Sequence, residues 1–287
     1  MANSFKYLLS TIIILSVILF VSFLISLESI RVNDIPIVFI FAITILSLNS
    51  VFFIHSYFFK SDIFFDLVGS FSFLSIGIAS LLLLPDIDAN QILIFFLLVF
   101  WSLRLGPFLF LRRIGAGNDE RLSEYFKSPI SLYFLWCMNS LWVFFTSLSM
   151  IIIFSSKTPY DFGLLQWLGL IIWVFGYIIE VISDSQKNKF NKTNKGKFIN
   201  IGLWKYIRHP NYLGEIIIWF GIFVISLNYI GSFSSMLSIL SPIFVYILLR
   251  YLSGVPQLEK RGDQKWGHLK EYVKYKEKTG IIFPKLK

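Results

Sequence analysis

The stretch LWKYIRHPNYLGEIIIWFG, residues 203–221, sets five different reactive groups at the mouth of an apolar run. They are a guanidinium (Arg208), an imidazole (His209), an amide (Asn211), a phenol (Tyr212) and a carboxylate (Glu215). Pro210 suits the first turn of a helix, where a missing N–H is tolerated. Asn211 and Glu215 are four apart and so share one helix face. A helix start also presents backbone N–H groups and the positive end of the helix dipole, which together receive anions such as phosphate. Upstream, Glu180 and Asp184 are again four apart, near the end of another apolar run. The joining segment 185–211 carries seven Lys and Arg. Cations beside a helix start suit phosphates, and carboxylates with an amide suit ribose or amide groups. The chemistry implied is reception of a nucleotide-type cofactor; the plainer alternative is a structural polar turn.

The elements that must hold these groups are membrane helices. The 287 residues are 56% hydrophobic and only 15% charged, where soluble domains approach a quarter charged. Mean hydropathy is +0.71. Apolar segments lie at about 5–27, 35–59, 63–84, 90–111, 130–154, 162–184, 212–230 and 233–252, each near the length that spans a bilayer. Continuous runs of this kind exclude a β-barrel, whose strands alternate over about ten residues. The fold class is therefore all-α: a polytopic transmembrane helix bundle of about seven or eight spans. We expect one membrane domain over 1–287, capped by loops and by an amphipathic, aromatic tail from about Gly254 that lies at the interface.

With eight spans and an inward N-terminus, 22 of the 26 Lys and Arg fall on the inner side and only Arg31 and Lys157 on the outer. This obeys the positive-inside rule, predicts cytoplasmic N- and C-termini, and accounts for the net charge of +9 without nucleic acid. The first apolar run is long for a signal peptide and lacks a small-residue cleavage site. The single Cys137 excludes an internal disulfide, and three dispersed histidines make no metal site. No dinucleotide fingerprint, P-loop, H-E-x-x-H or G-x-S-x-G is present. Ionisable residues within the spans are His55, Asp66, Arg104, Glu180, Asp184, Glu215 and Arg250. Such groups are expensive in lipid and mark function or an aqueous cavity. Long side chains such as Arg104 and Arg250 can instead snorkel to the interface.

GLWKYIRHPNYLGEIIIWFG resembles the C-terminal signature of the membrane steroid 5-alpha-reductase superfamily, and looks most like its DUF1295 branch. Further blocks agree in order: FFDLVGSFSFL (64–74), WSLRLGPFLFLRRIGAGNDER (101–121), GYIIEVISDSQKNKF (176–190) and SGVPQLEKR with the later Tyr272 and Tyr275. The likeness runs from about 62 to 284 and leaves residues 1–60 outside. It implies an NADPH-dependent reductase of an activated C=C bond in a lipophilic, steroid- or isoprenoid-like substrate drawn from the membrane. Carried over by position, Asp184, Arg208, His209, Asn211 and Tyr212 match cofactor-side residues. Arg104, Arg112 and Arg113 match a basic helix end that meets phosphates. Glu215, Asp66 and Tyr212 are the implied catalytic residues. Hydride attack on an enone develops charge on the carbonyl oxygen, which a neutral carboxylic acid or fixed dipole can meet. One departure stands out. The animal steroid reductases carry a Tyr one turn before the residue matched by Arg104, and here it is Trp101; the acid must then come from elsewhere, Tyr212 or Tyr57 included.

Two rivals stay open at the level of sequence. Membrane methyltransferases of the isoprenylcysteine and phospholipid type share an R-H-P-x-Y-x-G turn and a late Glu, and would place S-adenosylmethionine there. A proton-coupled carrier would use intramembrane carboxylates, but these cluster toward one side and no inverted repeat is visible.

Overall fold

The computed structural model describes residues 2–116 and 120–285. Gly117 and Asp119, part of the Gly–x–Asp–x–Arg block, lie outside the described residues. The first helices are α1 (Ala2–Ser26), α2 (Ile37–Phe59), α3 (Phe65–Leu83), α4 (Ala89–Ala116), α5 (Glu120–Ser123) and α6 (Pro129–Thr146). They are followed by α7 (Leu148–Ser155), α8 (Leu164–Thr193), α9 (Pro210–Ser226), α10 (Phe233–Met236) and α11 (Leu240–Ile247). Two tail helices, α12 (Gly254–Trp266) and α13 (Lys270–Lys278), complete the chain. Among the described residues, eight helical stretches are long and apolar enough to cross a membrane. The chain is an all-α polytopic bundle.

Five of the eight spans begin and end close to the predicted edges, whereas the fifth stops at Thr146 instead of 154, and the sixth and eighth run on to Thr193 and Trp266. α8 continues to Thr193, past the expected end at 184, so Lys187, Lys189 and Lys192 stand on a helix and not in a loop. Hydropathy marks where a helix leaves lipid, not where its hydrogen bonds stop. The eighth span is not one continuous α-helix. A π-turn over Leu248–Leu252 follows α11, and the Ser253 N–H donates to the Leu248 carbonyl at 2.8 Å, five residues back. One unforeseen feature joins α1 to α2: a two-residue hairpin, β1 (Arg31–Val32) and β2 (Ile35–Pro36). Its turn residues Asn33 and Asp34 both sit at positive φ, as a type I′ turn requires.

The described chain forms two compact units: Met1–Phe162 with Ser226–Ser238, and Gly163–Ile225 with Ile239–Lys287. In the first, α3 packs on α4, and α1 and α2 pack on α6. Val68, Leu132, Leu135 and Trp136 form a buried cluster under Phe52, Phe64 and Phe65. A polar seam runs through this apolar core. Asn139 Nδ2 donates to Asn49 Oδ1 (3.0 Å), and Asn49 Nδ2 donates to the Ile45 carbonyl (2.9 Å) and Ser72 Oγ (3.4 Å). Lipid offers such groups no partner, so they must be satisfied between helices.

The second unit is organised by the closeness of α8 and α9. Gly169 and Gly176 on α8 face Gly221 and Gly214 on α9. A Cβ at Gly176 would lie 2.8 Å from the Gly214 carbonyl oxygen, and one at Gly221 would lie 2.8 Å from that of Gly169. The two helices run antiparallel with backbones touching, the small-residue contact typical of membrane helix pairs. Tight association here arises from close van der Waals packing, since lipid supplies no hydrophobic drive between helices.

Candidate functional site

The glycine register fixes what stands opposite what. A Cβ at Gly214 would lie 2.7 Å from the Glu180 amide nitrogen, so Glu180 is level with the second turn of α9. Asp184, one turn further along α8, is then level with the α9 start. Both carboxylates are buried, at 3% and 7% exposure. The Glu180/Asp184 face and the Arg208–Glu215 mouth, which the sequence joins only through segment 185–211, are thus brought side by side within one unit. Asn211, Tyr212 and Glu215 are half-buried on the first two turns of α9. The amides ahead of the first helical bond, which Leu213 N–H makes to the His209 carbonyl at 3.2 Å, belong to Asn211 and Tyr212.

The tail braces this helix start. Arg208 N–H donates to the Gly280 carbonyl (2.9 Å), His209 N–H to that of Ile281 (3.1 Å), and Gly280 N–H back to Tyr206 (3.3 Å). Side chains repeat the brace. Arg208 Nε donates to Glu259 Oε1 at 3.0 Å, and its Nη1 reaches the carbonyls of Lys276 (2.9 Å) and Thr279 (3.0 Å). His209 Nε2 shares Glu259 Oε1 at 2.9 Å, and Lys276 Nζ lies 3.3 Å from Oε2. Tyr275 Oη donates to the Trp204 carbonyl at 2.7 Å, and burial holds that phenol above its usual pKa. Three N–H donors of Arg208 therefore hold the tail against the helix start, and Arg208 shares the Glu259 carboxylate with His209.

Nε2 of His209 bonds a carboxylate and so carries the proton, which leaves Nδ1 as a lone-pair acceptor. That atom is buried and has no hydrogen-bond partner among the described residues. Burial pulls the imidazole below its usual pKa, with Lys187 and Arg208 adding to the effect and Glu259 opposing it. Above that lowered pKa the imidazole is neutral. Tyr212 lies parallel to the imidazole, with ring centroids 5.6 Å apart. Gly254, at the start of α12, leaves room for its phenol: a Cβ there would fall 2.6 Å from Tyr212 Cε2.

A pH dependence follows. The folded His209 binds its proton less readily than the unfolded side chain, whose pKa is near 6.5. The unfolded state therefore takes up more protons as pH falls below that value, and stability drops with it. Thermal unfolding in detergent should show a lower midpoint at pH 5.5 than at pH 7.5. In His209→Asn the difference should shrink; an undiminished difference would clear His209 of the effect.

The other predicted residues stand in the first unit. Asp66 opens α3 and Arg104 lies midway along α4, both half-buried. Phe108 is flanked by Arg104 and Arg112, whose guanidinium carbons lie 5.4 and 5.7 Å from its ring centroid. Arg113 forms a buried ion pair with Asp62, at 12% and 7% exposure. Sequence reading did not find Asp62, Glu259, Lys187 or Gly254. The available signals were slight: an acid just before the third span, and an acid and a glycine in a tail where basic residues outnumber acidic ones.

The sequence profile of DUF1295, described as a protein of unknown function, matches residues 52–279. This chain belongs to the DUF1295 family. The DUF1295 match begins within α2 and ends after α13, so it takes in the α8/α9 pair, the helix start at Pro210 and the tail that braces it. An uncharacterized protein of Schizosaccharomyces pombe is 26% identical over 147 residues, covering 44% of this DUF1295 chain and 40% of that relative. The chain thus spans well under half the length of the relative it matches. No solved structure matches it.

Proposed function

We propose that this DUF1295 chain is an NADPH-dependent reductase of an activated C=C bond in a lipophilic substrate, with the cofactor received from the cytoplasm at the α9 start. The supporting observation is the buried, partnerless Nδ1 of His209 beside Asn211, Glu215 and the Glu180/Asp184 face. A bare acceptor in that setting fits a nucleotide's amide N–H or ribose hydroxyl. His209 and Asn211 would hold the amide and sugar end of NADPH, Asp184 a ribose hydroxyl, and the amides of the first turn and Lys187 its anionic part. Bound there, NADPH supplies a hydride to the β-carbon of an enone. Glu215, one turn inside the helix, would give its carboxyl proton to the enolate oxygen. Tyr212 and Gly254 would set the wall against which the ring lies, and the braced tail would exclude water.

Binding separates this reading from a methyltransferase. The purified full chain should bind NADPH and not S-adenosylmethionine. Asn211→Ala and His209→Ala should each weaken NADPH binding about tenfold, roughly 1.4 kcal/mol. Glu215→Gln should bind NADPH as before yet lose about 100-fold or more of enone-dependent NADPH oxidation, the scale of a general acid's contribution. Binding of S-adenosylmethionine in place of NADPH would overturn the proposal.

A further inference from the structure

Within the first unit, α3 and α4 form an antiparallel pair whose contact leaves a small polar notch. Gly106 brings them together: a Cβ there would fall 2.9 Å from Ser70 Cβ. One turn along α4 toward its N-terminus, the helices part over a space of about 10 Å³ lined by Ser70, Phe71, Leu74, Ser102, Leu103 and Pro107. That is room for the oxygen of one hydroxyl. Phe71 and Leu103 are about half exposed, at 47% and 53%, so the notch opens on the apolar outer surface of the span and not into the helix interior.

One polar group at this notch has no partner, and a second lacks its usual helical donor. Ser102 Oγ is buried, in a residue 4% exposed, and has no partner among the described residues. Pro107 lies inside α4 and has no N–H to give the carbonyl of Leu103, four residues before it. Hydrocarbon answers neither group, and unsatisfied polar atoms are strongly disfavoured at that depth. The two needs are complementary, since Ser102 can donate and the Leu103 carbonyl can only accept. A ligand hydroxyl satisfies both at once: it accepts from Ser102 Oγ–H and donates to the Leu103 carbonyl. A ketone or an ether oxygen would answer Ser102 alone, and a carboxylate or phosphate would bring charge into the middle of the span.

We propose that the α3/α4 notch binds the hydroxyl of an uncharged lipid alcohol, of the sterol or long-chain type, with its apolar body lying across Phe71, Leu74 and Leu103. The site stands on α3 and α4 alone and does not depend on the cofactor reading. Its position on the outer surface makes the lipid reach it laterally from the bilayer.

The test uses the full chain in lipid nanodiscs and two photoactivatable diazirine sterols, one with a free 3-hydroxyl and one with that hydroxyl methylated. After irradiation, peptide mapping should place the free alcohol's label on residues 67–74 and 102–107, at least threefold above the methyl ether. Ser102→Ala should remove that excess. Pro107→Ala restores an N–H for the Leu103 carbonyl, raises helix propensity, and should also reduce the excess. Equal labelling by alcohol and ether would mean apolar contact only and would overturn the proposal. So would an excess that survives Ser102→Ala. NADPH binding should be unchanged in both variants, so failure of this site and failure of the reductase reading are separately visible.

Discussion

Gly214→Val is expected to abolish recovery of folded protein. The valine Cβ would meet the Glu180 nitrogen at 2.7 Å, the Gly176 oxygen at 2.8 Å and the Glu180 Cα at 2.9 Å. All three are backbone atoms of a helix, so no rotamer change relieves the contact. Overpacking a core typically costs about 1–3 kcal/mol where side chains can shift. Here only separation of α8 from α9 gives relief, and that forfeits the close packing which holds the pair together in lipid. Size-exclusion profiles and thermal unfolding in detergent read the result. Gly214→Ala should be intermediate. Gly115→Ala is the control, because a Cβ there meets nothing within 4 Å. A Gly214→Val protein as stable as the parent would refute the backbone contact between α8 and α9.

The second large effect is expected at Glu259. Its carboxylate serves Arg208, His209 and Lys276 together, and the first two side chains are only 9% and 7% exposed. Glu259→Ala leaves the Arg208 charge buried without its counterion. Removing one partner of a fully buried pair costs about 3–5 kcal/mol. Glu259 is itself 18% exposed, so solvent screening reduces this to about 2–3 kcal/mol. The loss should be local as well as global. Segments 206–209 and 279–281 are hydrogen-bonded to each other, so their amides should exchange faster, and proteolysis within 267–285 should accelerate. On the proposed cofactor site, NADPH binding should weaken with them, because His209 loses the bond that fixes its tautomer. Glu259→Gln keeps an acceptor for Arg208 and should fall between. Unchanged exchange in the tail would show that Glu259 does not hold it.

Arg208 illustrates the limit of reading residue types. Beside Pro210 and a helix start, a guanidinium reads as a phosphate ligand. Its bonds to Glu259 and to two tail carbonyls lie 51 to 71 residues away in sequence, and no local pattern announces them. Arg113 has a similar history, since its partner Asp62 is 51 residues upstream. The i,i+4 pairs, by contrast, were legible, because a shared helix face is a local property of helical geometry.

Composition and apolar run length alone determined that this is a helical membrane protein with about eight spans. Lipid cannot satisfy backbone hydrogen bonds, so length and hydropathy leave the helix as the only reading for such runs. Sequence also located the polar helix start at Pro210 and the carboxylate face on α8. Only the tertiary structure decided how those two faces meet, through glycines seven residues apart on each helix whose contacts are with backbone and so carry no chemical label. It alone also decided that Arg208 braces the tail and that His209 keeps a bare nitrogen. Such outcomes depend on which distant carboxylate or carbonyl arrives, and that is set by packing, not by neighbours in the chain.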